Sequence, residues 1–97
     1  MKLSEKVKAL REAEGLSQAK FSQIIDLSLS TLKKYETGNF EPSGTALLKI
    51  TTNPQFQKYT LWLMTDKTAP EAGQISPVVA HSGQDETTSS PSGRKTG

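Results

Sequence analysis

The chain has 97 residues, 33% of them apolar, and a formal net charge of +2, which is enough material for one small domain. It contains no cysteine and one histidine, His81, which excludes a disulfide framework and a Cys/His zinc site, so we expect no metal or other cofactor. Residues 1–67 hold ten Lys and Arg against seven Asp and Glu, a basic bias that suits a nucleic-acid partner.

The N-terminal segment predicts an amphipathic helix. Leu3, Val7 and Leu10 recur at helical spacing with charged residues between them. Ser4 is the predicted cap, and Gly15 is typical of a helix end. No apolar run here is long enough for a signal peptide or a membrane span, so we expect a cytoplasmic protein with no membrane partner.

Two further helices follow with short connections. Ser17 is the predicted N-cap of the second helix, and Asp26, which tolerates a left-handed backbone, is expected to end it. Ser28 then caps a third helix, which ends at Gly38.

The fourth and fifth helices complete the predicted domain. Ser43 caps the fourth, and the pair Asn53 and Pro54 is a start signal for the fifth. The end of that last helix is apolar nearly all round, because Trp62 and Met64 lie on different faces. Either these residues complete the core, or a dimer partner or the tail covers them. A core this small benefits from burial in a homodimer, and we expect the last helix to form the interface.

From residue 68 onward the composition changes to Ser, Thr, Gly, Pro and Gln, without periodicity. Such a segment buries too little apolar surface to become ordered. The sequence therefore predicts a folded domain over residues 1–67 and a flexible tail over residues 68–97. The tail is expected to carry no catalytic group, since a lone histidine such as His81 in such a segment is usually solvated.

The segment LSQAKFSQIIDLSLSTLKKYETG, residues 16–38, resembles the Cro/C1-type (XRE-like) helix-turn-helix family. The residues that carry the resemblance are Leu16-Ser17-Gln18, Leu27-Ser28, Thr31-Leu32, Tyr35-Glu36 and Gly38. With the flanking helices the resemblance covers about residues 3–65. It implies an all-α fold, a compact five-helix lambda-repressor-like DNA-binding domain.

Two positions depart from the usual pattern of this family. Ser22 replaces a small Ala in the second helix, and Asp26 replaces a Gly in the turn. Ser is nearly as small as Ala, and Asp adopts a left-handed conformation at modest cost. Neither departure is expected to disrupt the motif.

The resemblance makes the third helix the one that enters the major groove of double-stranded DNA, where each base pair displays its own donors and acceptors. Helical spacing puts one set of side chains on the DNA face. The expected base contacts are Leu29, Ser30 and Lys34, and the expected backbone contacts are Gln18, Lys33, Thr37 and Asn39. Lys33 and Lys34 alone are more typical of a solvated helix face, and the resemblance is what favours DNA contact.

The resemblance also pairs Arg11 of the first helix with Glu36 of the third. A partly buried bidentate pair would hold the third helix at a fixed angle, which is a structural role. The alternative is two exposed charges that contribute little.

Three functions remain open on the sequence. The first is a sequence-specific regulator that binds DNA as a homodimer, which the resemblance implies to be a repressor of a phage or mobile element. The second is an antitoxin-like protein-interaction module whose tail folds onto a protein partner, with residues 75–79 as the anchor. The third is a domain that kept this fold without DNA affinity. An enzyme is not expected, because the folded part has no histidine, no cysteine and no glycine-rich phosphate loop.

Overall fold

The structure is a computed structural model that describes residues 1–77. It contains five α-helices, namely α1 (Leu3–Ala13), α2 (Gln18–Ile24), α3 (Leu29–Glu36), α4 (Gly44–Thr51) and α5 (Thr60–Thr65), with 3₁₀ turns at Gln57–Tyr59 and Pro70–Ala72. Within residues 1–77 the only extended pairing is an isolated bridge between Ala69 and Gln74. The predicted all-α, five-helix fold is confirmed. None of the helices described is long and apolar enough to cross a membrane.

One apolar core joins the helices and fixes the position of α3. Its buried members are Val7, Leu10, Phe21, Ile25, Leu32, Ile50, Phe56, Tyr59, Trp62 and Leu63. The rings of Phe21 and Phe56 meet edge to face, with centroids 5.1 Å apart. Trp62 therefore completes the core, whereas Met64 on the same helix is 55% exposed.

Three serines begin helices as the sequence predicts. The hydroxyl oxygens of Ser17, Ser28 and Ser43 accept hydrogen bonds from backbone N–H groups three residues later, at 3.0, 3.2 and 3.1 Å. Each such cap contributes about 1 kcal/mol to helix stability. These caps define where α2, α3 and α4 start.

The predicted cap of the first helix is wrong. Lys2 is the N-cap of α1, and its backbone N–H donates to the carboxylate of Glu5 at 2.9 Å. Because Glu5 satisfies that donor, the helix begins at Leu3, and Ser4 lies buried inside its first turn.

The predicted helix start at Asn53 and Pro54 is also wrong. The side-chain oxygen of Asn53 accepts from the backbone N–H of Gln55 at 2.8 Å, and its carbonyl accepts from Phe56 at 2.9 Å. These bonds close a turn, and α5 begins only after the following 3₁₀ turn. The side-chain oxygen of Asn53 forms a local bond that closes this turn, and such a bond competes with capping of a helix.

Lys6 on α1 is a buried charge. It is 5% exposed, and its ammonium donates to the carbonyls of Trp62 and Leu63 at 3.3 and 3.2 Å. It also contacts the carboxylate of Asp66 at 2.6 Å. A cation at the C-terminal end of α5 satisfies carbonyls that the helix itself leaves unpaired, so Lys6 ties α1 to α5.

Residues 69–77 fold back onto the domain, although the sequence predicts a flexible tail from residue 68. The side chain of Gln74 accepts from the backbone N–H of Leu61 at 2.9 Å and donates to the carbonyl of Gln57 at 3.0 Å. The backbone N–H of Ile75 donates to the carbonyl of Lys58 at 2.9 Å, and Pro77 is buried. Residues 78–97, with His81, lie outside the described residues.

A chain that ends at residue 67 is expected to be less stable than one that ends at residue 77. The shorter chain loses the Gln74 side chain, and the partly buried N–H of Leu61 loses its acceptor. An unsatisfied donor of this kind costs about 1–3 kcal/mol, which corresponds to a fall in Tm of roughly 5–15 °C in a domain of this size. Thermal unfolding of the two chains measures the difference, and equal Tm values would contradict the contacts described.

Glu14 joins the end of α1 to the turn before α5. Its carboxylate accepts from the hydroxyl of Tyr59 at 2.6 Å, the ammonium of Lys58 at 3.0 Å and the amide of Gln55 at 3.3 Å. Burial raises the pKa of Glu14, but these hydrogen bonds outweigh it and hold the pKa below its ordinary value of 4.5. Burial, and then the bond to Glu14, raise the pKa of Tyr59 above its ordinary value of 10.0.

The contacts that Glu14 makes with Tyr59, Lys58 and Gln55 are expected to weaken at acid and at alkaline pH, which lowers the stability of the fold. The pKa of Glu14 is lower in the folded state, so its contribution is lost as the pH falls below 4.5. The pKa of Tyr59 is higher in the folded state, so its contribution is present below pH 10.0 and lost as the pH rises beyond that value.

Tyr59→Phe should lower the free energy of unfolding at neutral pH by about 1.5–3 kcal/mol. It should also reduce the loss of stability above pH 10.0, which urea unfolding measures. The same alkaline slope in both proteins would contradict this.

Candidate nucleic-acid interface

The turn between α2 and α3 sets the angle between the two helices. Asp26 has a φ of 56°, the left-handed conformation expected of it, and Leu27 donates to the carbonyl of Ser22 at 2.9 Å. The ammonium of Lys49 on α4 donates to the carbonyl of Asp26 at 2.5 Å. Ser22 is buried, with its hydroxyl bonded to the carbonyl of Ala19 at 2.8 Å. Both departures from the family pattern are therefore accommodated.

Helix α3 has one buried face and one exposed face. Leu32 and Tyr35 lie in the core, as the helical spacing predicts. The opposite face is exposed and carries Leu29, Ser30, Lys33, Lys34 and Thr37. The structure thus places five of the predicted DNA-contact residues together on one accessible surface, which we call the reader face.

The two hydroxyl groups of the reader face differ in how available they are to form a hydrogen bond with a ligand. The hydroxyl of Thr37 donates to the carbonyl of Lys34 at 3.0 Å, so contact with a phosphate requires this hydroxyl to rotate. The hydroxyl of Ser30 lies 3.4 Å from that of Ser28 at the start of the helix, a long and weak contact. Ser30 is therefore the better placed of the two for a new hydrogen bond.

Lys33 and Lys34 lie exposed in the last turn of α3, where a positive charge interacts favourably with the helix dipole. The ammonium of Lys34 lies 5.6 Å from the centroid of the Phe40 ring, in the loop after the helix. Asn39, the remaining predicted backbone contact, is exposed in the same loop. No periodic pattern in the sequence points to Phe40, since it lies in a loop.

Arg11 and Glu36 form a bidentate ion pair between α1 and α3. The Arg11 Nε and Nη2 atoms donate to Glu36 Oε2 and Oε1 at 2.7 and 3.0 Å, and Nη1 donates to the carbonyl of Leu16 at 2.7 Å. The two side chains are 11% and 3% exposed. A pair with this geometry and burial fixes the orientation of α3 rather than acting as two surface charges.

Gln18, at the first position of α2, is the third member of this network. Its side-chain amide donates to Glu36 Oε1 at 3.0 Å, a contact that the sequence did not reveal. An amide has two hydrogens, so this bond leaves one for a phosphate oxygen. The ion pair therefore holds a predicted backbone-contact residue as well as the helix that carries the reader face.

The surface of α3 and the following loop offers hydrogen-bond donors, the ammonium groups of Lys33 and Lys34, and the exposed apolar side chains of Leu29 and Phe40. These are the groups that contact phosphates and base edges. Among residues 1–77 no three His, Cys, Asp or Glu side chains lie together as a metal site would require.

Comparison with known proteins agrees with this geometry. A family described as "Helix-turn-helix" matches residues 7–52, which span the ion pair, both helices of the motif and α4. The chain is also 46% identical to "Repressor protein C" of Escherichia phage P2 over 95 residues, which is 98% of this chain and 96% of the relative. On this match the chain belongs to the Cro/C1-type (XRE-like) helix-turn-helix family.

Proposed function

We propose that this chain is a transcriptional repressor that binds double-stranded DNA in a sequence-specific manner, with α3 in the major groove. The observation that carries the proposal is the two-sided character of α3. Its inner face is packed in the core and held by the Arg11–Glu36 pair, while its outer face carries Lys33 and Lys34. A helix presented in this way fits the width of the major groove. The name of the phage relative, a repressor protein, supports repression rather than activation of transcription.

Three residues of the reader face are proposed to read bases. Lys34 donates to O6 or N7 of a guanine, Ser30 donates to or accepts from a base edge, and Leu29 contacts a thymine methyl group. All three are exposed on one side of α3. These contacts would supply the sequence preference.

Four residues are proposed to contact the DNA backbone and so set the register. These are Gln18, Lys33, Thr37 and Asn39. Gln18 also lies at the N-terminus of α2, where backbone N–H groups favour a phosphate. Such contacts add affinity without sequence preference, and they make binding sensitive to salt.

A homodimer is the proposed binding form, with α5 in its interface. Met64 is 55% exposed on this helix, and Leu61 is only half-buried, so α5 has apolar surface to contribute. A two-fold dimer would bind two half-sites in inverted orientation. The proposed location is the cytoplasm, where a regulator of this kind meets its DNA.

The protein-interaction alternative is less well supported. The described part of its anchor is residues 75–77, in which the backbone N–H of Ile75 donates to the carbonyl of Lys58 and Pro77 is buried. A segment held in this way is less free to fold onto a partner. We therefore propose a non-enzymatic DNA-binding regulator as the function of the folded part.

Selection from a pool of random-sequence DNA duplexes tests the proposal. The full chain should enrich an inverted repeat, and the affinity for it should fall as the salt concentration rises. A reporter gene with this repeat across its promoter should be repressed when the protein is expressed. Failure to enrich any motif at low salt would contradict specific DNA binding, and enrichment of a single half-site would contradict the dimer.

A further inference from the structure

Phe40 is an exposed aromatic residue beside the reader face. Its side chain is 56% exposed, in the loop that joins α3 to α4. The core is complete without it, so packing does not explain an aromatic residue here. The ammonium of Lys34 lies 5.6 Å from the centroid of its ring.

The backbone after α3 holds Phe40 in this place. Gly38, with a φ of 84°, donates to the carbonyl of Tyr35 at 3.0 Å, and Asn39 donates to the carbonyl of Lys34 at 3.2 Å. This pair of bonds is a Schellman motif, which reverses the chain at a helix end. Since Pro42 is buried just beyond, the loop is anchored on both sides of Phe40.

An ammonium above an aromatic face is attracted to the negative face of the ring. Lysine has a flexible four-carbon side chain, which loses conformational entropy when it binds a ligand. A partner that restricts this side chain beforehand reduces the entropy that is lost on binding. The ring covers one side of the ammonium, which has three hydrogens to donate. Lys34 held in this way keeps hydrogens for a base edge.

We infer that Phe40 is a specificity-determining positioning residue, whose ring holds the Lys34 ammonium in the orientation in which it reads its base pair. This inference rests on the proposed function and extends it to a residue outside α3. Phe40 acts through Lys34. The base preference at one position of each half-site therefore depends on a side chain in the loop.

The test compares Phe40→Ala, Phe40→Leu and Phe40→Tyr, each in the presence and in the absence of Lys34→Ala. Leu keeps an apolar side chain without the aromatic face, and Tyr keeps the face. The probes are the duplex that the wild-type chain enriches most from a random pool and the same duplex with single base-pair changes. Because the ring is exposed, the thermal unfolding midpoint of each variant should match that of wild type.

We expect Phe40→Ala and Phe40→Leu to weaken binding to a two-half-site duplex by roughly 5- to 25-fold. These two variants should also discriminate less between base pairs at the position where Lys34→Ala loses its base preference. Phe40→Tyr should keep the affinity and the base preference of the wild-type chain. In the Lys34→Ala background the Phe40 substitutions should have no further effect.

Three results would overturn the inference: wild-type binding by Phe40→Leu, an equal loss at every base pair, or a full Phe40→Ala effect in the Lys34→Ala background, which would indicate direct DNA contact. If the wild-type chain enriches no motif, the proposed function fails and this inference fails with it. If a motif is enriched, the Phe40 variants test the inference alone.

Discussion

Glu36→Ala is expected to remove about 3–5 kcal/mol from the free energy of unfolding. The Glu36 side chain is 3% exposed and accepts three hydrogen bonds, two from Arg11 and one from Gln18. Without the carboxylate, the Arg11 guanidinium stays largely buried with no counter-charge. A domain of this size has little more than that amount of stability, so much of the protein should be unfolded at 37 °C.

Urea unfolding followed by circular dichroism measures this effect. Glu12→Ala is the matched control, because Glu12 is an exposed carboxylate on α1, and its removal should change stability by less than about 0.5 kcal/mol. The double variant Arg11→Met/Glu36→Leu should recover much of the loss, since it leaves no unpaired buried charge. If Glu36→Ala is as stable as Glu12→Ala, the pair acts as two surface charges after all.

Lys33→Ala/Lys34→Ala is expected to weaken binding to the enriched duplex by about 100-fold or more. Loss of a base contact costs about 1–3 kcal/mol in each half-site, and the lost phosphate contact adds to it. The slope of log affinity against log salt should become shallower by about 0.9 for each phosphate contact removed.

Filter binding at several salt concentrations measures both quantities. Lys8→Ala/Lys67→Ala removes the same charge from exposed positions outside the reader face, and it should have a much smaller effect. Equal losses in the two double variants would mean that overall charge, and not the reader face, determines the affinity.

Local signals predicted most of the helix boundaries around the reader face. Ser17, Ser28 and Ser43 cap helices because each acts on N–H groups within three residues, so no distant contact is needed. The left-handed backbone at Asp26 is likewise a property of one residue. The division of α3 into two faces followed from helical spacing alone.

Contacts between distant residues were not predictable from such signals. The burial of Lys6 depends on the C-terminal carbonyls of α5, which lie more than 50 positions away in the chain. Gln74 lies in a segment of polar composition, yet a single side-chain amide ties that segment to α5. The turn at Asn53 takes the place of a helix start, because the same side-chain oxygen can serve either structure.

The sequence predicted those contacts of the candidate site whose residues belong to the family pattern. It did not predict contacts that the pattern does not specify. The pattern located the partners Arg11 and Glu36, which lie 25 positions apart in the chain. It did not reveal that Gln18 shares the same carboxylate, or that Phe40 lies against Lys34. Both contacts depend on how the end of one element turns toward another, and spacing within a helix carries no information about this.

The most direct test of the reader face is a change of sequence preference on substitution of Lys34. Gln pairs with N6 and N7 of adenine, whereas Lys donates to O6 or N7 of guanine. Random-duplex selections with the wild-type chain and with Lys34→Gln should therefore yield two inverted repeats that differ at one position in each half-site, with adenine in place of guanine. The same repeat from both proteins would contradict the claim that Lys34 of α3 reads a base.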